Sequence, residues 1–332
     1  MAERMSILDS LSVPRSWTIP QQNISNLFVD EINSGVSTFL SDMNFPSTIL
    51  QKAAALNPGV YAICVVPMAT KANQLWFAKF ITVGFLFDDE ILEKSEAVDK
   101  VSPIVQAIRG DIMTDPAIMH FLNAMHSLAI DLEKISGVPT IRTNLADVMQ
   151  KFVESGIKCN RGAKHTRNLP FEQIVSIRSV DCGGAIVMLL NEQIMCETKN
   201  GEVDGVDNLQ DYDELRDDIC KLLAYHNDIV SLPKDTEEKH SVNIVISFAE
   251  KTMLENIFVA RNRILESTIP ELTKKFDRKA TNFLEIRFLS NLQRSWFTDM
   301  LNMMKWMISG TLMWSQVIPR YSKSGLMSNS TA

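Results

Sequence analysis

ANQLWFAKFITVGFLFDDEILEKSEAVDK, residues 72–100, decides the fold. The stretch is apolar first and acidic last, and its spacing predicts one long helix. At about 100° per residue, Asp89 and Glu93 fall about 40° apart, while Asp88 shares a face with Phe85, Gly84 and Ile81. A carboxylate directly beneath an aromatic-lined face is costly unless something cationic binds there. Magnesium suits such a place, because it is a hard ion that takes one or two carboxylates and keeps waters or phosphates. The same residues are equally read as solvated charge that ends an apolar helix.

Outward from this segment the pattern stays helical. Helical stretches are expected at about 25–55, 102–109, 115–135, 139–155, 170–196, 208–231, 240–266 and 278–308. SVNIVISF (241–248) is rich in β-branched residues, but it continues at helical period through Met253, Ile257 and Val259, so 240–266 is read as one helix. VYAICVVP (60–67) stays open between strand and helix. Residues 1–24, with Pro14 and Pro20 and few periodic apolar positions, read as an extended arm. No repeat or Gly/Ser linker divides the rest, so 25–332 is read as one domain.

Composition agrees with a helical globule. Of 332 residues, 45% are hydrophobic, with 13 Gly, 12 Pro and 17 Met. Chain-breakers are scarce, which favours long helices over many short strands. Lys+Arg is 33 against Asp+Glu 40, a net charge of −7, which argues against a nucleic-acid binder. The five cysteines (Cys64, Cys159, Cys182, Cys196, Cys220) have no CxxC spacing, so a disulfide framework or zinc site is not expected and a reducing compartment is. Neither a signal peptide nor a membrane span is read, so the expected location is the cytoplasm.

A second oxygen-rich cluster is NDIVSLPKD, residues 227–235. Asn227, Ser231 and Asp235 recur at i, i+4 and i+8, a stripe about 80° wide on a helix. An amide oxygen, a hydroxyl and a carboxylate in one row suit a single magnesium, and Lys234 adds a cation for an anionic ligand. Pro233 leaves a helix-end or capping cluster as the other reading.

Together, DDxxxE and NDxxSxxKD resemble the paired metal motifs of class I terpene synthases, the microbial type of bacteria, fungi and social amoebae. Asn227 follows Asp88 by 139 residues. Arg178, 49 residues before Asn227, lies near the family's diphosphate-sensing arginine, and Asp181 and Cys182 stand where the family has its linker and effector. Gly183 and Gly184 then loosen the helix, and Arg320-Tyr321 matches the family's RY pair, six residues after Trp314. The likeness spans residues 60–321. It departs in the first motif, which ends in Glu93, one residue later than in DDxxD, and in the second, which ends in Asp235 rather than Glu.

The resemblance implies an all-α, single-domain bundle around a deep apolar pocket. It implies three Mg²⁺ (Mn²⁺ as a substitute), two held by Asp88 with Glu93 as a weaker ligand, and one by Asn227, Ser231 and Asp235. Arg178, Lys234, Arg320 and Tyr321 would grip the diphosphate of an isoprenyl substrate, C15 favoured over C10 or C20. Arg178, Asp181 and Cys182 would trigger ionisation, Cys182 through its backbone carbonyl. Phe85 and Trp314 would line the pocket and shield a carbocation. Each aromatic is otherwise read as core. The enzyme would be a sesquiterpene cyclase, monomeric or homodimeric. The alternatives are a chain-elongating prenyltransferase, which would need a second DDxxD, and a helical binding protein without catalysis. His120 and His126, off any common face, and the acidic run 201–218, which fails the EF-hand spacing, are read as structural.

Overall fold

In the computed structural model, the Thr70 hydroxyl accepts a hydrogen bond from the Asn73 N–H at 3.3 Å and so starts the helix expected over 72–100. That helix runs over Lys71–Phe87 and widens into a π-helical turn at Asp88–Leu92. The structure describes residues 8–20, 28–92, 101–111, 115–160, 163–197, 210–238, 242–254, 256–285 and 290–319. Among these the elements are helices and there is no strand. The all-α expectation is met.

In chain order they are α1 (Val29–Asp42), α2 (Ser47–Ala55), α3 (Pro58–Val65), α4 (Lys71–Phe87), α5 (Val101–Arg109), α6 (Met119–Ser136), α7 (Ile141–Asn160) and α8 (Ala163–Arg167). There follow α9 (Phe171–Asp181), α10 (Gly184–Glu197), α11 (Gln210–Glu238), α12 (Ile244–Lys251), α13 (Ile257–Arg263), α14 (Ile269–Leu284) and α15 (Asn291–Ser315). A second π-helical turn, Ile264–Thr268, joins α13 to α14.

Among the described residues the main apolar core runs from Leu8 to Ile318, and a small second cluster gathers Cys159, Ile174 and Val242. VYAICVVP is helix α3, because Pro58 presets its first turn and almost every side chain to Val66 is buried. Burial on all sides overrides β propensity. Helix α15 packs across α3 and also against α11. The crossing is close at Gly310, where a Cβ would stand 2.3 Å from the Cys64 carbonyl oxygen. Helix α11 lies against α9, α14 and α15, and α7 touches both α9 and the π turn at Asp88–Leu92.

Four expected helical stretches differ from the sequence reading. The stretch 25–55 holds two helices, α1 and α2, with Asn44 at a left-handed φ of 60° between them. The stretch 240–266 is not one helix: α12 ends at a turn in which Met253 takes a left-handed φ of 52°, and Asn256 then caps α13 by accepting from the Phe258 N–H at 2.8 Å. The stretch 278–308 is also two helices. Helix α14 stops at Leu284, and Ser290 and Gln293 form a capping box that starts α15. At 170–196 the chain bends by 44° between α9 and α10, with Gly183 at φ 74°. Among the described residues, no single helix is long and apolar enough to cross a membrane.

The described part of the arm, 8–20, docks on the body through Leu8, Leu11, Val13, Trp17 and Ile19, all buried. The Trp17 ring meets Phe276 edge-on at 5.3 Å and its N–H reaches the Asp277 carboxylate at 3.2 Å. The Ser309 hydroxyl donates to the Trp17 carbonyl at 2.9 Å.

Candidate active site

On α4, Thr82, Val83, Leu86 and Phe87 are buried, whereas Ile81, Gly84, Phe85 and Asp88 are only half-buried. That open face is the one the sequence period assigned to Asp88. A Cβ built on Gly84 would meet no atom within 4 Å, so the face borders empty space one turn before Asp88. Phe85 stacks on Trp314 with ring centroids 5.1 Å apart, and Tyr61 stands edge-on to both rings. Trp314 itself is buried, with its indole N–H donating to the Leu56 carbonyl at 2.6 Å. It therefore backs Phe85, while Phe85 and Gly84 border the opening.

The helix widens at Asp88, and π turns are rare and frequent at functional sites. Within the DDE cluster, Glu90 pairs with Lys52, while Asp88 and Asp89 stay half-buried. Glu93 lies outside the described residues. Beyond the turn, α7 brings the first motif toward the sensor region: a Cβ on Gly156 would stand 3.3 Å from Leu92 Cδ1 and 3.3 Å from Asp181 Oδ1.

Arg178 is the hub of that region and is buried. Its Nε donates to Asp228 Oδ2 at 3.1 Å, its Nη2 to Asp228 Oδ1, and its Nη1 to Asp181 Oδ2. Burial works against the guanidinium charge, but Asp228 and Asp181 outweigh it and hold the group well above its usual range. Asp228, 0% exposed, also accepts from the Ile244 N–H at 2.7 Å. Burial raises its carboxyl above the usual carboxylate range, while Arg178 pulls the other way; the hydrogen bonds from Arg178, the Ile244 N–H and Asn227 Nδ2 (3.4 Å) favour the carboxylate. Cys182 caps α9, and its thiol donates to the Ser179 carbonyl at 3.3 Å. Burial pushes that thiol up to about 12, so it is no nucleophile at neutral pH.

The second motif lies wholly on α11, which continues through Pro233 to Glu238. The helix-end reading of Pro233 is thereby removed, and Asn227, Ser231 and Asp235 share one helical stripe. Ser231 Oγ donates to Asp235 Oδ2 at 2.7 Å, as residues four apart on one face should. Ser231 and Asp235 are buried, while Asn227 and Lys234 are half-buried. Arg320 and Tyr321 lie outside the described residues. Among the described residues, no three His, Cys, Asp or Glu side chains gather around one point. Two of the three donors in the stripe are an amide and a hydroxyl.

Two residues of this network were not singled out from sequence. Asp228 lies inside the second motif but about 100° off its stripe, which aims it at α9 instead. Asn243 caps α12 with its side-chain oxygen and donates from Nδ2 to both the Asp228 carbonyl and Asp235 Oδ2, each at 2.8 Å. Its signal was an Asn immediately before an apolar run, the pattern of a helix cap.

The family model "Terpene synthase family 2, C-terminal metal binding" matches residues 79–266, more than half of the chain and the span holding both motifs. No curated protein sequence matches. Among solved structures, wild-type cucumene synthase superposes with a TM-score of 0.71 at 15% identity, covering 87% of this chain and 95% of that one. Hedycaryol synthase in complex with HEPES gives 0.73 at 16% identity over 92% and 99%. Germacradien-4-ol synthase from Streptomyces citricolor gives 0.70 at 14% identity over 87% and 94%. Such low identities show a shared fold, and the family match carries the rest. The chain belongs to the metal-binding terpene synthases of family 2, class I enzymes of the microbial type, and is a carbon–oxygen lyase that acts on isoprenyl diphosphates.

Proposed function

We propose that the chain is a Mg²⁺-dependent cyclase that ionises the C15 farnesyl diphosphate and steers the resulting carbocation to a sesquiterpene, releasing diphosphate. On this reading residues 25–332 form one catalytic domain beneath the arm 1–24, and the enzyme works in the cytoplasm as a monomer or homodimer. The observation that carries it is the unbroken run of α11 through Pro233, which sets Asn227, Ser231 and Asp235 on one face beside the Arg178–Asp228 pair.

The donor set fits a hard divalent cation. Asn227, Ser231 and Asp235 offer an amide oxygen, a hydroxyl and a carboxylate, and Asp88 of the first motif offers a second carboxylate. Asp88 with Glu93 would hold two ions, and the α11 stripe the third. Bound Mg²⁺ would stabilise the negative charge that builds on the departing diphosphate.

The chain's own residues do the rest. Arg178 spends three of its five N–H groups on Asp228 and Asp181 and also meets the Cys159 side chain, so its remaining capacity turns to a diphosphate oxygen. Lys234, Arg320 and Tyr321 add donors to the same group. Asp181 and the Cys182 carbonyl sit at the 44° bend, where a pull on Arg178 is passed to the opening of α10. Phe85 presents an aromatic face to the carbocation, an attraction of roughly 0.5–2 kcal/mol. Trp314 keeps that ring in place.

The test is to incubate the protein with Mg²⁺ and the C10, C15 or C20 diphosphate, and to analyse extracted volatiles by gas chromatography–mass spectrometry. A cyclic product from the C15 substrate is expected. No product from any of the three sinks the reading.

A further inference from the structure

Pro233 has no N–H, so the Ile229 carbonyl on α11 lacks its usual partner in the middle of the second motif. One buried side chain reaches across that weakened turn. Asn243, 1% exposed, donates from Nδ2 to the Asp228 carbonyl before the gap and to Asp235 Oδ2 after it, both at 2.8 Å. Its Oδ1 meanwhile accepts from the Val245 and Ile246 N–H groups at 2.8 and 3.3 Å, which anchors it to the first turn of α12.

Asp228 and Asp235 end up with different tasks. Both oxygens of Asp228 are taken by Arg178 and the Ile244 N–H. On Asp235, Ser231 and Asn243 both donate to Oδ2, and among the described residues no hydrogen bond goes to Oδ1. The carboxylate is thus pinned by one oxygen and presents the other. Outer partners of this kind fix a ligand's orientation, and losing one commonly weakens metal affinity or activity about 10–100-fold.

We propose that Asn243 is a positioning residue for Asp235: it bridges the proline gap in α11 and holds one carboxylate oxygen of Asp235 toward the cation. The inference rests on the Mg²⁺ role given to Asp235 above. Asn243→Ser separates this task from helix capping, because serine is itself a preferred cap yet carries no second donor group to replace Nδ2.

The experiment measures, on the full chain, the thermal shift produced by titrating MgCl₂ in the presence of inorganic diphosphate, alongside turnover at each Mg²⁺ concentration. The serine variant is expected to stay folded, with a metal-free melting temperature only about 2–6 °C lower for the two buried hydrogen bonds lost. Its Mg²⁺ midpoint should rise about 10-fold or more, with turnover recovering at high Mg²⁺. An unchanged midpoint overturns the proposal. If the serine variant does not fold, Asn243→Thr, also a cap former, takes its place. Failure of both to fold assigns Asn243 to folding alone and likewise overturns it. A wild type with neither a Mg²⁺-dependent shift nor product would instead refute the Mg²⁺ reading itself.

Discussion

Replacing Asp228 by asparagine probes the joint between α9 and the second motif. In the wild type this carboxylate, 0% exposed, accepts two hydrogen bonds from Arg178 and one from the Ile244 N–H. Asp228→Asn keeps the shape, but it turns an NH₂ group toward a guanidinium and leaves Asp181 as the one charged partner that Arg178 keeps from this network. Breaking a buried pair costs about 3–5 kcal/mol, and the surviving Asp181 contact favours the low end, about 3 kcal/mol. At about 2 °C per kcal/mol for a chain of this size, the melting temperature should fall by about 6 °C. A thermal-unfolding cycle with Arg178→Gln, Asp228→Asn and the double variant isolates the pair. Contacting groups should show coupling of about 1 kcal/mol or more. If the two single losses simply add, the pair does not join α9 to α11 as described.

Three further outcomes follow from local geometry. Gly310→Ala would place a methyl 2.3 Å from the Cys64 carbonyl oxygen, which belongs to rigid backbone. It should destabilise the protein by at least about 2 kcal/mol in denaturant unfolding. Gly84→Ala points into open space, so stability should hold or rise by about 0.5–1 kcal/mol, while chromatography of the products shows a changed ratio. His120 lies 4.6 Å from the rings of Phe45 and Phe121, with Nε2 unpartnered among the described residues. Burial lowers its pKa below 6.5, so the unfolded chain takes up the proton first. Its contribution is complete above about 6.5 and is lost as pH falls toward the folded value. The melting temperature of His120→Gln relative to wild type should therefore be higher at pH 5 than at pH 8.

Much of the site was legible because its residues obey a helical period. Asp88, Gly84, Phe85 and Ile81 share the open face of α4 that the 100° step assigned to them, and Ser231 does meet Asp235. What the period does not carry is the partner across a gap in sequence. Arg178 was read as a ligand for an anion; that it is first the partner of Asp228, 50 residues away, follows only from the packing of α9 on α11. Asn243 was hidden for the same reason, since its capping half is local and its bridging half is not. The missed helix ends have local causes: Met253 carries a left-handed turn without glycine, and Ser290 with Gln293 starts a helix without proline. VYAICVVP became a helix because its surroundings bury every face, which propensity does not see.

The central claim is that cations held by Asp88 on one motif and Asn227 on the other drive diphosphate departure. The direct measurement is diphosphate release from farnesyl diphosphate by the wild type, Asp88→Ala and Asn227→Ala, each with Mg²⁺ and with a chelator, with helicity checked by circular dichroism. The account predicts release by the wild type only when Mg²⁺ is present, and turnover lower by orders of magnitude in both variants at unchanged helicity. Near-normal release by either folded variant, or by the chelated wild type, would contradict it.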